Sequence, residues 1–275
     1  MRPSRLLILL TALVCLPVTS TIARDGTANY SFAVFVGTGK YKINDRDIYV
    51  FRVPLEFMLK EADYENKTIG YTLLVPAAVG VTDYEKLGDI PDLNINDLQT
   101  GSVVPGLEAL IPITSNWRIS PFGQVGLGWD TESSNNALVW GLGARTRAWF
   151  RDGQMWLVGG EVLWAGNNPK DDDDDKSQFS RLAVGGEYKL QTNWRPLGDR
   201  RISWHFRAIG RLYTNDLDFP APPRKESIES TMEVGISIGI DKPINILGYK
   251  FRQGGIGYEW SENLKGIRFF TTFPF

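Results

Sequence analysis

The chain has 275 residues, of which 43% are hydrophobic and 23% are charged, and its formal net charge is -2. These values exclude a disordered chain, because disorder requires few apolar residues and a large net charge. The near balance of charge also argues against a nucleic-acid partner, since binding to phosphates draws on an excess of lysine and arginine.

The first predicted element is an export signal. Arg2 and Arg5 precede the apolar stretch 6–18, which is too short for a membrane-spanning helix. A positive start, a short apolar stretch and a polar tail are typical of a cleavable secretory signal. We therefore predict a signal peptide over 1–23 and a mature chain that begins at Arg24.

The single cysteine, Cys15, lies inside this segment. Two alternatives to a cleavable signal stay open, an uncleaved anchor and a lipoprotein signal acylated at Cys15. The residues before Cys15 lack the usual order of leucine and two small residues, which argues against the lipoprotein. Cleavage would remove the only thiol, so disulfides and cysteine-based metal chemistry are excluded for the mature chain.

Alternation of apolar and polar residues dominates the rest of the chain. From Trp117 to Trp129 the odd positions are mostly apolar, and the even positions are mostly polar or small. The same period of two recurs in 47–59, 201–213 and 230–240, without helical periodicity. No later apolar run is long enough for a spanning helix, so the mature chain is either soluble or crosses a membrane as strands.

The pattern predicts twelve strands, most of them at or above the ~9–11 residues that a tilted strand needs to cross a bilayer. They cover 30–37, 47–59, 67–80, 101–112, 116–129, 136–149, 154–165, 177–190, 201–213, 229–240, 248–260 and 264–275. Strands of soluble sheets average only ~5–6 residues. We therefore predict an all-β fold over 24–275, a single twelve-stranded antiparallel transmembrane β-barrel, since a closed sheet leaves no unpaired edge in lipid.

The predicted connections alternate in length. If both termini are periplasmic, the longest connections, 81–100, 166–176 and 214–229, all face outward, and the periplasmic set includes the short 113–115 and 150–153. Two connections depart from this rule in length. Short periplasmic turns and longer outer loops are typical of outer-membrane barrels, whereas a soluble β-sandwich has no reason to alternate them.

Four tryptophans are predicted to lie at the membrane interfaces. Trp117 and Trp129 end one apolar strand face, and Trp156 and Trp164 end another. At ~3.3 Å per residue and a tilt of ~40°, these spacings project to roughly 20–30 Å, which brackets the ~25 Å apolar band of such barrels. Amphipathic rings favour both interfaces. The alternative is that these tryptophans fill a soluble core.

The last predicted strand places Phe269, Phe273 and Phe275 on one face, and the chain ends on Phe275. This segment resembles the C-terminal signature of Gram-negative outer-membrane proteins, in which a final aromatic residue and alternating apolar residues are read by the barrel-assembly machinery. The resemblance implies an assembly signal at these three residues. It also implies an integral location in the outer membrane, with outer-membrane lipid and lipopolysaccharide as partners and no nucleic acid.

Twelve strands without another domain further resemble the solitary autotransporter-type β-domains of Gram-negative bacteria. A conventional autotransporter carries a large passenger and a helix that plugs its pore. Only 24–29 separate the predicted cleavage site from the first predicted strand, which is too short for either. The resemblance therefore implies an autotransporter-like barrel without a passenger, with a structural or translocation role.

Charged residues on the polar strand faces are predicted to line the lumen, because an arginine at mid-depth in lipid costs ~2–4 kcal/mol. These residues are Arg52, Glu56, Glu108, Arg118, Arg145, Arg147, Glu161, Arg181, Glu187, Arg207, Arg211, Glu233 and Arg268. The interleaved signs favour ion pairs that lock a narrow interior. The excess of arginine instead favours a small-solute channel with weak anion preference, and both interpretations stay open.

Two further features are assigned no chemistry. Gly126 and Gly128 lie within a predicted strand rather than before a helix, so they do not form a phosphate loop. The acidic run Asp171–Asp175 lacks the spacing of a calcium loop and is predicted to be a solvated outer loop, with attraction of divalent cations as a minor alternative. The sequence predicts no cofactor and no metal site.

The only histidine, His205, lies two residues from Ser203. This spacing resembles the outer-membrane phospholipase, with the order of the two residues reversed. Both are predicted to face the lumen, away from lipid, with backbones ~6–7 Å apart and hence beyond hydrogen-bond reach of one another. We therefore expect no enzymatic activity, and acyl hydrolysis is the least favoured alternative.

Overall fold

The computed structural model of the chain describes residues 34–35, 37–43, 46–81, 100–130, 136–150, 155–169, 177–196, 198–214, 228–246 and 249–275. The predicted signal peptide, Cys15 and the acidic run Asp171–Asp175 lie outside these residues. Within the described part of the chain, no helix is both long enough and apolar enough to span a membrane.

The described residues form thirteen strands, and each neighbouring pair is antiparallel. The strands are β1 (Gly39–Ile43), β2 (Arg46–Lys60), β3 (Gly70–Val81), β4 (Thr100–Val103), β5 (Gly106–Thr114), β6 (Trp117–Asp130), β7 (Asn136–Phe150), β8 (Trp156–Pro169), β9 (Ser177–Gln191), β10 (Ile202–Tyr213), β11 (Ser230–Ile246), β12 (Tyr249–Trp260) and β13 (Leu264–Phe270).

The thirteen strands fill twelve positions around a closed barrel, because β4 and β5 share one position between β3 and β6. Pro105, which has no N–H to donate to the ladder, lies in the break between these two strands. The barrel closes where β1 pairs with β13 on one side and with β2 on the other. The predicted all-β, twelve-stranded antiparallel barrel is confirmed.

The connections define two ends of the barrel. The lower end carries the connections 61–69, 115–116, 151–155, 192–201 and 247–248, together with the last residue of β13. The upper end carries 44–45, 82–99, 131–135, 170–176, 214–229 and 261–263. The two longest connections, 82–99 and 214–229, both join strands at the upper end, as predicted. The alternation is not complete, because 44–45 and 261–263 at the upper end are short and 192–201 at the lower end is longer than 170–176.

The lower connection between β2 and β3 is held by one carboxylate. Asp63 Oδ1 accepts hydrogen bonds from the backbone N–H groups of Glu65 and Asn66 at 2.9 and 3.0 Å. The backbone hydrogen bond from Asn66, followed by its side-chain hydrogen bond, lowers the pKa of Asp63. The lower rim therefore contains an ordered turn outside the barrel wall.

The wall is apolar outside and polar inside. Leu142 and Val184 are 58% and 62% exposed on the outer face, whereas Glu233 and Glu161 are 0% and 6% exposed inside. A soluble protein buries its large apolar residues and rarely exposes a continuous apolar surface. This inversion is typical of transmembrane barrels, and it follows directly from the period of two along each strand.

The first predicted strand is wrong at Val34 and Phe35, which form a helical turn inside the barrel. The observed first strand begins at Gly39, shortly after Gly37, whose φ of 114° is rarely adopted by residues with a side chain. Val34 is fully buried, and the ring of Phe35 packs against Phe179 with centroids 6.4 Å apart. The apolar residues that suggested a strand pack inside the lumen instead.

The last predicted strand is wrong beyond Phe270, where β13 ends. Residues 271–275 turn into the barrel, so that Phe273 and Phe275 are only 2% and 4% exposed. Phe269 lies on the outer face and is 57% exposed. The three phenylalanines therefore do not share one face, and their role as an assembly signal stays a prediction.

Candidate functional site: the barrel lumen

The charged residues assigned to the lumen all lie at strand positions that face inward, because the residues next to them along each strand face outward. They are Arg52, Glu56, Glu108, Arg118, Arg145, Arg147, Glu161, Arg181, Glu187, Arg207, Arg211, Glu233 and Arg268. Most of them are buried or half-buried, and Glu56, near the lower end, is exposed. Most of these residues belong to two ion-pair networks or to a group of arginines without a carboxylate partner among the described residues, and Glu187 is hydrogen-bonded to His205.

The first network links β5, β7, β8 and β9. Arg145 contacts Glu108 at 3.2 Å and Glu161 at 2.9 Å, and Arg181 contacts the other oxygen of Glu161 at 2.5 Å. Arg145 and Glu161 are directly opposite in the β7–β8 ladder, so the strand register itself brings the pair together. Alternating signs allow each buried charge to be neutralised within the lumen.

The second network is centred on Glu233, whose side chain is fully buried. Glu233 forms ion pairs with Arg207, with Arg211 at 2.6 Å and with Arg268 at 2.7 Å. Arg211 and Arg268 also contact Glu259, at 2.9 and 3.2 Å. Three guanidinium groups thus share two carboxylates, and they tie β10 and β11 to β12 and β13 across the interior.

Three of the lumen arginines belong to neither network. Arg52, Arg118 and Arg147 form no ion pair with any carboxylate of the described residues. Arg118 instead lies over the Trp149 ring at 5.9 Å, and Arg147 donates to the backbone oxygen of Phe273 at 2.9 Å. Arg52 lines a small recess together with Glu56, Gln124 and Arg145. Arg118 and Arg147 are thus held by a ring and a backbone oxygen rather than by a carboxylate.

The C-terminal segment 271–275 occupies the lumen. A Cβ atom added at Gly159 would lie only 2.7 Å from Cβ of Phe275, so the tail rests directly on the β8 backbone. Arg147 holds the backbone oxygen of Phe273, and Arg207 donates to the backbone oxygen of Thr272 at 3.3 Å. The two terminal rings pack edge to face with centroids 5.2 Å apart.

The helical turn at Val34 and Phe35 also lies inside the lumen. The Phe35 ring contacts the position that a Cβ atom of Gly141 would take. Arg181 Nη1 donates to the backbone oxygen of Phe35 at 2.8 Å. Both ends of the described chain therefore place aromatic rings inside the barrel, each over an inward-facing glycine.

The prediction that Ser203 and His205 are too far apart to interact is wrong. Ser203 Oγ lies 2.9 Å from His205 Nε2, and His205 Nδ1 lies 2.8 Å from Glu187 Oε1. Gln253 Nε2 donates to Glu187 Oε2 at 3.0 Å and to Ser237 Oγ at 2.6 Å. The Ser203 and His205 side chains approach each other on the same strand face although the two residues are two positions apart along the strand.

The tryptophans predicted for the membrane interfaces all point outward. Trp129, Trp156 and Trp164 are 40%, 45% and 44% exposed, and Trp117 is half-buried. The Nε1 group of Trp117 donates to Thr146 Oγ1 at 2.6 Å. Their outward placement argues against a soluble aromatic core, while their contact with a membrane interface stays a prediction.

Sequence reasoning missed Glu259 and Gln253 on β12. Glu259 is 2% exposed and carries two ion pairs, and Gln253 supports Glu187. Both follow the period of two, because the intervening Ile256 and Tyr258 are exposed on the outer face. That alternation could have identified Glu259 and Gln253 as inward-facing residues. Among the described residues, no group of three or more potential ligands could hold a metal ion.

A closed antiparallel barrel with an apolar outer wall and ion pairs inside defines a β-barrel of the outer-membrane type. The chain is similar to the beta domain of the Bordetella autotransporter BrkA, at 7% sequence identity and a TM-score of 0.43. The similarity covers 84% of this chain and 92% of that chain, and at this level it carries no argument about function. No family model matches the chain, and no curated protein matches it.

Proposed function

We propose that this protein is an integral outer-membrane β-barrel whose lumen is closed by the turn at Val34 and Phe35 and by the C-terminal segment 271–275. The observation that carries the proposal is the inversion of the wall, with apolar side chains outside and charged side chains inside. Lipid is the solvent that such a surface requires, and a closed sheet satisfies every backbone group in it. Outer-membrane lipid, with lipopolysaccharide at the upper end, is the partner that this placement implies.

The contents of the lumen support a structural role in the resting state. Two ion-pair networks cross the interior, and the tail with its Phe273 and Phe275 rings lies between them and the lower end. A translocation role, as in an autotransporter-like barrel without a passenger, would require this tail to leave the lumen. The proposed protein is thus closed at rest, and any transport through it depends on displacement of the tail.

A charge placed on the outer wall tests the membrane location. Val184 is the eighth of fifteen residues in β9 and is 62% exposed. In a bilayer, Val184→Arg is expected to cost about 2–4 kcal/mol of folding free energy, because the guanidinium would face hydrocarbon at mid-depth. In a soluble protein the same exposed substitution would change stability by no more than about 0.5 kcal/mol.

The measurement is a urea titration of folding into lipid vesicles, followed by the heat-modifiable migration of folded barrels on detergent gels. Glu65→Arg is the matched control, because Glu65 is exposed in the connection 61–69, outside the wall. The control is expected to fold as the unaltered protein does. Equal stability of the two arginine variants, or a compact monomer that stays dissolved without detergent, would contradict the proposal.

A small-solute channel is the second candidate, and one observation favours it. Arg52, Arg118 and Arg147 lack a carboxylate partner among the described residues, so the lumen offers uncompensated positive charge to an anion. In this alternative the unaltered protein forms stable, weakly anion-preferring conductance steps in planar bilayers. A silent bilayer under the same conditions supports the closed barrel.

A further inference from the structure

We infer that Ser203, His205 and Glu187 form a hydrolytic site inside the barrel, for small water-soluble acyl esters that enter from the lower end. The three side chains form a continuous chain of hydrogen bonds, with separations of 2.9 and 2.8 Å. A serine, a histidine and a carboxylate in this order are the requirement for activating a hydroxyl nucleophile.

The hydrogen-bond partners assign the direction of each bond. The Glu187 carboxylate can only accept, so His205 Nδ1 carries the proton that it donates to Glu187. His205 Nε2 is then free to accept the hydroxyl proton of Ser203. In this tautomer the imidazole is ready to act as a general base toward Ser203.

Glu187 differs from the other buried carboxylates of the described residues. Glu108, Glu161, Glu233 and Glu259 each form an ion pair with at least one arginine. Glu187 lies directly opposite Arg207 in the β9–β10 ladder, yet Arg207 contacts Glu233 instead. Glu187 is therefore available to orient His205, the only histidine of the sequence. Gln253 donates a hydrogen bond to the second carboxylate oxygen of Glu187.

The neighbouring strand, β11, leaves room for the Ser203 and His205 side chains. Gly239 on β11 is the register partner of Ser203. A Cβ atom at this position would lie 2.5 Å from His205 Nε2 and 2.9 Å from Ser203 Oγ. Any other residue at 239 would displace the hydrogen-bonded pair, so the glycine is a requirement of the arrangement.

The position of the site limits its substrate. Ser203 is the second residue of β10 and lies near the lower end, whereas the tail packs on Ala183 and Ile209 further up the barrel. Ser203 and His205 keep 6% and 9% of their surface exposed, and both face the lumen rather than lipid. A substrate for this site must therefore be compact and must arrive from the aqueous lower end, because an acyl chain held in the bilayer lies on the other face of the wall.

The reaction balances without a cofactor. Ser203 Oγ attacks the ester carbonyl carbon while its proton passes to His205 Nε2, and the bond to the alcohol oxygen then breaks as the alcohol takes that proton. Water attacks the resulting acyl-serine with His205 again as the base, which releases the carboxylic acid and restores Ser203. Lys189 is the register partner of His205 on β9, so we assign its ammonium group the role of stabilising the developing oxyanion.

The test uses the full mature chain folded in detergent, with p-nitrophenyl acetate as substrate and a fluorophosphonate as the covalent probe. The unaltered protein is expected to hydrolyse the ester and to be labelled at Ser203. Ser203→Ala is expected to lower kcat at least about 100-fold and to abolish labelling. Ser120→Ala is the matched control, because Ser120 is an inward-facing serine that is 2% exposed on β6.

Glu187 is a positioning residue, and its variant separates catalysis from structure. Glu187→Gln is expected to lower kcat about 100-fold or more with KM unchanged, because the amide no longer holds the imidazole in the productive tautomer. Heat-modifiable migration identifies the variants that have folded. Hydrolysis and labelling that are equal in the unaltered protein and Ser203→Ala, or absent from the folded unaltered protein, would overturn the inference and leave the membrane barrel untouched.

Discussion

Glu233→Gln is expected to destabilise the barrel by about 3–5 kcal/mol, measured as a shift of the urea midpoint for unfolding from lipid vesicles. Glu233 is fully buried and binds the guanidinium groups of Arg207, Arg211 and Arg268. The neutral amide removes the only negative charge that all three arginines share, and it presents N–H donors to other donors. Removal of one partner from a buried ion pair leaves an uncompensated charge, which is the costly case.

Asp199→Asn is the matched control for this prediction. Asp199 pairs with Lys242, as Glu233 does with its arginines, but the side chains of both Asp199 and Lys242 are more than half exposed. Exposed pairs contribute little because water solvates each charge after the pair is broken, so no measurable change is expected. Equal stability of the two variants would mean that the lumen is wetter than the burial of Glu233 indicates.

The strands and their faces could be predicted from the sequence because a barrel wall repeats one local rule. The segment 116–129 was predicted as a strand with Trp117 and Trp129 outward, and the observed strand is Trp117–Asp130 with that orientation. Each residue alternates between lipid and lumen, so the sequence of a single strand contains the necessary information. The same rule applies to Glu259, which the pattern could have included.

The contents of the lumen could not be predicted because they depend on contacts between distant parts of the chain. Phe275 packs inside only because Gly159, far away in sequence, offers it space. Ser203 reaches His205 because Gly239 on another strand leaves the pair room. Alternation assigns a residue to a face of the wall, but it does not distinguish a phenylalanine in lipid from one folded back into the lumen.

The terminal rings fill part of the lumen within the described residues. Phe273 and Phe275 form an apolar cluster with Ala183 and Ile209, and the tail backbone accepts hydrogen bonds from Arg147 and Arg207. Truncation of a buried phenylalanine to alanine typically costs about 3–5 kcal/mol. Truncation of both rings therefore removes more stabilisation from the five-residue tail than its two backbone hydrogen bonds supply. A typical hydrogen bond contributes about 0.5–1.5 kcal/mol.

A variant that combines Phe35→Ala, Phe273→Ala and Phe275→Ala is therefore expected to conduct ions in planar bilayers, while the unaltered protein stays silent. Release of the tail exposes Arg147 and Arg207, so the new conductance should prefer anions. Phe269→Ala is the matched control, because Phe269 lies on β13 just before the tail but is exposed outside the barrel, and it is expected to stay silent. Conductance in both the unaltered protein and the control would show that the tail does not close the lumen, and silence of the triple variant would assign closure to the ion-pair networks alone.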